Sequence, residues 1–422
     1  MHLLKSAFII LVITSLGFSV TSCKDDLFGN KTDLGFIDIP DTTPRSVAYV
    51  PVLPVIDGGT RKFQEPIHIA PGFDRFFYVV DSVQGIFALD ETGRQVGFLP
   101  NPDSVFFTSV SQDRTLDLLA VGRKLHKIPG QNRVLSLPII YRYTLKDTVN
   151  ESVSLSLNQA RIVSKMIYPY FLSEDTRVND PNIEKISFGQ VGFISGNRFY
   201  VTIKSPNRTP GGFTFENNAV LLCFNPKNET KVSAWTQIQI TTSNGVSSQY
   251  FLQPNALVSL LQPPQNFRLP EGNSEDFIVT QVDPNPNIPT RTLWISVSPS
   301  TDGPPTYSFR NLVPPANNRR YLYTPFRFKN PQALAYAGDG RRQLWVLDSD
   351  SVYLFSNLGI EGTRPARGTA NQELVPVSFG GTGTSLSQFN RARSICYMNS
   401  VIWVVDQGNK RILRFKLTTD ID

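Results

Sequence analysis

Short apolar runs alternate along the chain with turn-forming clusters, and the runs come in sets. "FFYVVD" ending at Asp81, "QLWVLD" ending at Asp348 and "VIWVVD" ending at Asp406 are three versions of one strand. Upstream of each lies Phe-x-x-Pro or Phe-x-x-Ala and a first apolar strand: "FQEPIHIA" from Phe63, "FKNPQALA" from Phe328 and "FNRARSIC" from Phe389. "FLQPNALV" from Phe251 is a fourth copy, and Ile69, Leu257, Leu334 and Ile395 hold equivalent places. After each Asp comes a turn and a third strand, "GIFALD", "SVYLFS" or "RILRFKL". Short strands separated by turn signals describe antiparallel meanders. Their recurrence at a period of roughly 60 residues predicts the blades of a β-propeller.

The register predicts the remaining copies. The 188 residues from Phe63 to Phe251 span three blades, and "FGQVGFIS" from Phe188 fits one start. "FTSVSQD" from Phe107 fits the other more loosely, with "LDLLAVG" and "KLHKI" as its following strands, which makes six blades. The long step from Phe107 to Phe188 leaves an insertion at about 146–185, where "NQARIVSKMIYPYF" places Ile162, Val163, Met166, Ile167 and Tyr170 at the spacing of a short helix stopped near Pro169, or of an irregular flap. The last blade is one strand short, while "SVAYVPVLPVID" (46–57) is a strand with no blade of its own. Set as the outer strand of the sixth blade, it closes the ring and leaves no long unpaired edge. Its Pro51 and Pro54 suit an outermost strand only. The expected fold is therefore all-β: a six-bladed propeller over 47–418, closed by an N-terminal strand and carrying a short helical insertion.

Composition agrees with this and adds an address. The 422 residues are 40% hydrophobic and 18% charged, with Phe (29) and Tyr (14) far above Met (3), a balance that favours strands. The start "MHLLK" is basic, and Ala7 to Val20 is an apolar run too short and too polar for a comfortable membrane span. It ends in "VTSC", which resembles the lipobox of bacterial lipoproteins and implies cleavage before Cys23 and acylation of that residue. The next residues, Lys24, Asp25 and Asp26, are similar to the export signal that sends such lipoproteins to the outer face of the outer membrane. Residues 1–22 are thus expected to be a lipoprotein signal peptide and 23–46 a lipidated tether, with the membrane as a partner through the anchor. Cys223 and Cys396 lie in apolar runs and read as buried thiols. Residues 285–422 hold 16 Lys and Arg against 9 Asp and Glu, so the basic excess of the chain sits in this part. For an exported protein such a face suits anionic glycans or lipopolysaccharide, or is simply a set of solvated loops, and nucleic acid is not expected.

The last copy resembles an NHL repeat. In "VSFGGTGTSLSQFNRARSICYMNSVIWVVDQGNKRILRFKL" the residues Gly380, Gly383, Phe389, Asp406, Gly408, Asn409, Arg411, Ile412 and Phe415 match that pattern, while Ala392 stands in place of the usual Pro. The likeness weakens over 63–99 and 328–380 and fades in the three middle copies. It implies a propeller with a central channel and a binding surface, and it implies no reaction.

Candidate chemistry is sparse. There is no Gly-x-Ser-x-Gly elbow, no Walker loop and no His-Glu-x-x-His. "SFGGTG" (378–383) belongs to an inter-blade turn, and "DSDS" (348–351) reads as a turn as well. His68 lies in an innermost strand and is a candidate channel residue, with Glu65, Asn255 and Arg391; His126 belongs to a third strand. Glu65 beside Pro66 and Asn255 beside Pro254 are similar to the channel ligands of six-bladed lactonases, which implies calcium only if that resemblance holds. Asp-Ser/Thr motifs at Thr42, Ser82, Ser104, Thr148 and Ser351 are similar to bacterial O-glycosylation acceptors, and are also good turn chemistry. The expected function is a non-enzymatic, outer-membrane, lipid-anchored propeller without a cofactor, binding a glycan, a peptide or an envelope protein. Long loops at 204–218, 262–276 and 299–320 would elaborate one face. A calcium-dependent hydrolase or lyase acting in the channel is the alternative.

Overall fold

The computed structural model describes residues 47–128, 132–147, 156–167, 183–196, 198–205, 218–224, 234–247, 250–264, 275–300, 303–313, 320–364 and 374–421. The lipobox, the export signal, Thr42, Thr148, most of the loops 204–218 and 262–276, and parts of 299–320 lie outside them, while β-strand residues Thr306–Phe309 run through the last of these. Ser46–Asp422 forms one compact unit.

Among the described residues the strands form six sheets. Strand β1 (Tyr49–Ile56) is set aside for the last of them. Blade 1 is β2 (Pro66–Pro71), β3 (Phe77–Asp81), β4 (Gly85–Leu89) and β5 (Gln95–Pro100). Blade 2 is β6 (Val105–Gln112), β7 (Asp117–Lys127), β8 (Val134–Thr144) and β9 (Arg161–Ile167). Blade 3 is β10 (Ser187–Phe193), β11 (Arg198–Lys204), β12 (Ala219–Phe224) and β13 (Ala234–Gln237). The hairpin of β14 (Ile240–Thr242) and β15 (Gly245–Ser247) widens blade 4, which is otherwise β16 (Pro254–Ser259), β17 (Phe277–Gln281), β18 (Thr292–Ser298) and β19 (Thr306–Phe309). Blade 5 is β20 (Pro331–Tyr336), β21 (Leu344–Asp348), β22 (Ser351–Phe355) and β23 (Ser378–Gly380). Blade 6 is β24 (Ala392–Met398), β25 (Val401–Asp406), β26 (Arg411–Leu417) and, on the outside, β1. The chain is an all-β, six-bladed propeller.

The expected closure is present. Tyr49 pairs with Leu417, Pro51 with Phe415 and Ile56 with Ile412. The Tyr49 hydroxyl also accepts a hydrogen bond from Trp345 of blade 5 at 2.7 Å, so β1 ties two blades together. The second strands are buried on both faces because each blade packs against two others. That is why they read as continuous apolar runs: Val79, Val80, Val346, Leu347, Val404 and Val405 are all fully buried. Aromatic pairs fill the seams. Phe77 of blade 1 stacks on Trp403 of blade 6 at 3.9 Å, and Trp345 of blade 5 stacks on Tyr397 of blade 6 at 4.4 Å.

Three expectations need correction. No α-helix forms among the described residues of this segment: a 3-10 turn at Leu157–Gln159 leads into β9, which completes blade 2. Period-2 alternation decides it, since Ser164 and Met166 are buried while Arg161 and Lys165 are exposed, and Ile162 and Val163 are β-branched. His126 belongs to the second strand of blade 2, because "LDLLAVG" and "KLHKI" run on as the single strand β7. Finally, Phe107 and Phe188 are not equivalent to Phe63. They pair with Gly122 and Ile203 just as Pro66 pairs with Asp81, so they stand at the start of the inner strand, three residues later in the repeat.

Candidate site at the propeller axis

The six inner strands β2, β6, β10, β16, β20 and β24 surround the axis, and each carries one extra residue relative to its partner strand. The register slips between Pro66 and His68, Phe107 and Ser109, Phe188 and Val191, Pro254 and Leu257, Pro331 and Ala333, and Ala392 and Ser394. A β-bulge re-aims the side chain it carries. Here the bulged positions supply Ile67, Thr108, Gln190, Asn255, Gln332 and Arg393 to a single cavity of about 420 Å³. A second set comes from the end of the second strands: Ser82 and Gln407 just past β3 and β25, and Lys204 as the last residue of β11.

These groups form a continuous chain of hydrogen bonds. The Ser82 hydroxyl donates to Glu65 Oε2 at 2.9 Å, and Gln407 Nε2 donates to Glu65 Oε1 at 2.9 Å. Arg393 donates through Nε to Gln407 Oε1 at 2.7 Å and through Nη1 to Gln332 Oε1 at 3.2 Å. Asn255 Nδ2 donates to the Gln332 carbonyl at 3.1 Å, and Lys204 Nζ donates to Asn255 Oδ1 at 2.9 Å. The chain joins blades 1, 6, 5, 4 and 3. The remaining seams close through Ser109, whose hydroxyl donates to the Gly189 carbonyl at 2.8 Å, and through His68. Gly189 is required where blades 3 and 4 approach: a Cβ there would lie 2.4 Å from the Asn255 carbonyl oxygen.

His68 sits at the floor. It and Gln190 also line a smaller cavity of about 50 Å³ on the far side, among Leu257, Leu334, Ile395 and Cys396. Its Nδ1 accepts the Val110 N–H at 3.3 Å, so the proton of the neutral ring resides on Nε2. Burial pushes its pKa down to about 3, and it brings no charge to the axis at neutral pH.

Positive charge comes from two other residues. The hydrogen-bond partners of Lys204 and Arg393 among the described residues are the neutral amides of Asn255, Gln407 and Gln332. Burial, and next the Arg393 charge, hold the Lys204 ammonium below the usual lysine value of 10.5. Glu65 and Arg393 are exposed, so the cavity is open to solvent.

Glu65, His68 and Asn255 line the same cavity, and Arg391 is not among its lining residues. It is exposed at a φ of 57° ahead of β24, and the bulge sends Arg393 inward instead. Of the glycosylation candidates, Ser82 is committed to Glu65, Ser104 occupies an exposed turn and Ser351 opens β22 half-buried. The aspartates of two of these motifs serve the backbone: Asp81 accepts the Val83 and Gln84 N–H groups, and Asp350 accepts that of Ala392.

The donor set does not fit calcium, which takes six to eight oxygens. Both Glu65 oxygens accept protein donors, the Asn255 oxygen accepts an ammonium, and Lys204 and Arg393 place two cations in the same cavity. Among the described residues no group of three or more His, Cys, Asp or Glu is arranged to hold a metal ion.

No protein-family model matches the chain, and no curated protein does. Solved propellers resemble it in outline. A gluconolactonase from Xanthomonas campestris is 10% identical with a TM-score of 0.42, covering 87% of this chain and 98% of its own. A Carbohydrate-Active Enzymes family AA12 protein from Trichoderma reesei is 11% identical, TM-score 0.43, covering 89% and 98%. Virginiamycin B lyase from Staphylococcus aureus is 11% identical, TM-score 0.38, covering 88% and 98%. None of these three bears on the chemistry of the axial cavity.

Proposed function

We propose that this protein is a binding propeller, held on the outer face of the outer membrane by an acylated Cys23, that captures a glycan in its axial cavity. The observation that carries the reading is the wall of that cavity. Hydroxyls and carboxamides from Ser82, Thr108, Ser109, Gln190, Asn255, Gln332 and Gln407 converge on one space. A polyhydroxylated ligand needs many fixed donors and acceptors, and several of these side chains are already held by the hydrogen bonds described above. The space of about 420 Å³ lies within the range of small-molecule sites, roughly 300–1,000 Å³. Peptide side chains would ask for apolar pockets, and Ile67 and Phe188 are the main apolar groups here. The Lys24-Asp25-Asp26 run after Cys23 supports the outward address.

A glycan array probed with the wild type and with Thr108→Trp tests the site. Thr108 is exposed within the cavity, so an indole there fills it with little disturbance of the blade. Binding that Thr108→Trp abolishes supports the reading, and binding that it leaves intact refutes it. The address is tested separately: Cys23→Ser should lose acyl labelling and membrane retention, and an unchanged distribution would count against the anchor.

A further inference from the structure

We infer that the axial cavity selects a sugar bearing one negative charge, a carboxylate or a sulfate ester, and that Lys204 and Arg393 are the residues that read it. This rests on the glycan reading above and goes further, to the charge of the ligand.

The argument begins with what the seams need. Blades 2 and 3 are joined by the hydroxyls of Ser109 and Ser111, blades 3 and 4 by Thr202 and Gln190, and blades 1 and 6 by Ser394 and Gln407. Apart from the Glu65 carboxylate to which Gln407 donates, neutral groups close these seams. Lys204 also bridges blades 3 and 4 and Arg393 blades 6 and 5, bonds that a neutral donor would make without the desolvation cost of a cation. Yet two cations line the cavity, and no carboxylate among the described residues forms an ion pair with either.

Each keeps donors in reserve. An ammonium has three N–H groups, and the described partner of Lys204 takes one of them. Arg393 spends Nε on Gln407 and Nη1 on Gln332, which fixes the guanidinium plane and leaves Nη2 without a partner among the described residues. Glu65 is the counter-charge at the same mouth, but its two oxygens already accept Ser82 and Gln407. Two positive charges against one negative leave the cavity at +1. A monoanion balances that, whereas a dianion would overshoot it and a neutral sugar would leave it uncompensated. Charge-assisted hydrogen bonds from an oriented guanidinium and an ammonium are the strong ones, so the anionic group should set the ligand's position.

Calorimetric titration of the full chain with a uronate oligosaccharide, its methyl ester, a sulfated oligosaccharide and an acidic peptide tests this. The uronate or the sulfated sugar should bind at least about tenfold more tightly than the uncharged ester, and which of the two does so identifies the anion. Lys204→Gln and Arg393→Gln should each weaken binding of the acidic sugar by roughly ten- to a hundredfold and leave the ester nearly unaffected. The ratio of acid to ester is measured on the wild type, so it stands even if a variant folds poorly. Equal binding of acid and ester would overturn the inference and leave the glycan reading intact. Binding of the peptide in preference to every sugar, or of no sugar at all, would overturn both.

Discussion

Blades 1, 5 and 6 differ from blades 2 and 3 in how the inner strand is held at its start. In the first group the second strand ends in a buried aspartate whose carboxylate reaches back to the chain entering the inner strand. Asp81 accepts the N–H groups of Gln64 and Glu65, Asp348 those of Lys329 and Asn330, and Asp406 that of Asn390. Phe63, Phe328 and Phe389 are buried beneath these clasps. Blade 4 keeps a neutral version, in which Gln281 accepts the Leu252 N–H and donates to the Thr290 carbonyl. In blades 2 and 3 the position is Gly122 and Ile203, and the side-chain clasp is gone. The residue after Ile203 is Lys204. Where the repeat loosens, the chain places one of the two cations of the axial cavity; the other, Arg393, comes from blade 6, which keeps the clasp.

The comparison can be broken in four places. The largest effect should come from a chain that begins at Phe63 and lacks β1. It loses the Trp345–Tyr49 bond and uncovers the apolar outer face of blade 6, against which Val47, Tyr49 and Val55 pack. At ~25 cal/mol per Å² of apolar area the loss is several kcal/mol, out of a typical total of ~5–15. Equal melting temperatures with and without β1 would contradict the closure of the ring.

Next in size are the clasps themselves. Asp406 is fully buried and also holds Asn409 and the Arg411 guanidinium. Asp406→Ala leaves that charge unpaired and should cost about 3–5 kcal/mol in urea unfolding. Gln281→Ala, in the neutral clasp, should cost about 1–2 kcal/mol. A reversal of that order would mean that the clasps do not carry the difference between blades.

A third test uses pH. Asp276 of blade 4 is buried, and desolvation lifts its pKa from 3.8 to about 6, against the Val297 N–H and the Arg310 charge. Between these two values the folded state keeps a proton that the unfolded chain releases. Stability therefore falls as pH rises through that window, by on the order of 3 kcal/mol for this group, and no further above it. Asp276→Asn should remove that slope when urea melts at pH 4 and pH 7 are compared with wild type; an unchanged slope would refute the assignment.

The smallest effect is the most diagnostic. Because the Lys204 ammonium is disfavoured where it sits, Lys204→Met should leave the free protein as stable as wild type or up to ~1 kcal/mol more stable, by thermal melting at neutral pH. A loss of more than that would make Lys204 a structural residue. For the same reason, binding of an anionic ligand should fade as pH rises toward the lowered lysine pKa, below the usual 10.5.

Much of the fold was legible because second strands buried on both faces leave unbroken apolar runs, and because an aspartate and a turn end three of them. The register of blades 2 and 3 was not. A lone Phe can be the anchor below the clasp or the residue just before the bulge of the inner strand, and with the clasp gone nothing nearby decides between them. Set three residues out, blade 3 hid the meaning of Lys204. Glu65, His68 and Asn255 could be found because they stand at fixed repeat positions. Arg393 lines the cavity and Arg391 does not, because a bulge shifts which residue faces the axis, and a bulge leaves no mark in the apolar pattern. The position after each repeat Pro or Ala holds Ile67, Asn255, Gln332 and Arg393. Read down the repeats, that column would have outlined the cavity.

The central claim is that the axial cavity holds an anionic ligand through Lys204 and Arg393. Crystals soaked with the tightest-binding acidic sugar, in buffer that also contains calcium, test it most directly. The account predicts the anionic group between Lys204 Nζ and Arg393 Nη2, with the sugar ring among Thr108, Gln190 and Gln332. A ligand seated on the outer strands, or a calcium ion bound by Glu65 and Asn255 with Lys204 displaced, would contradict it.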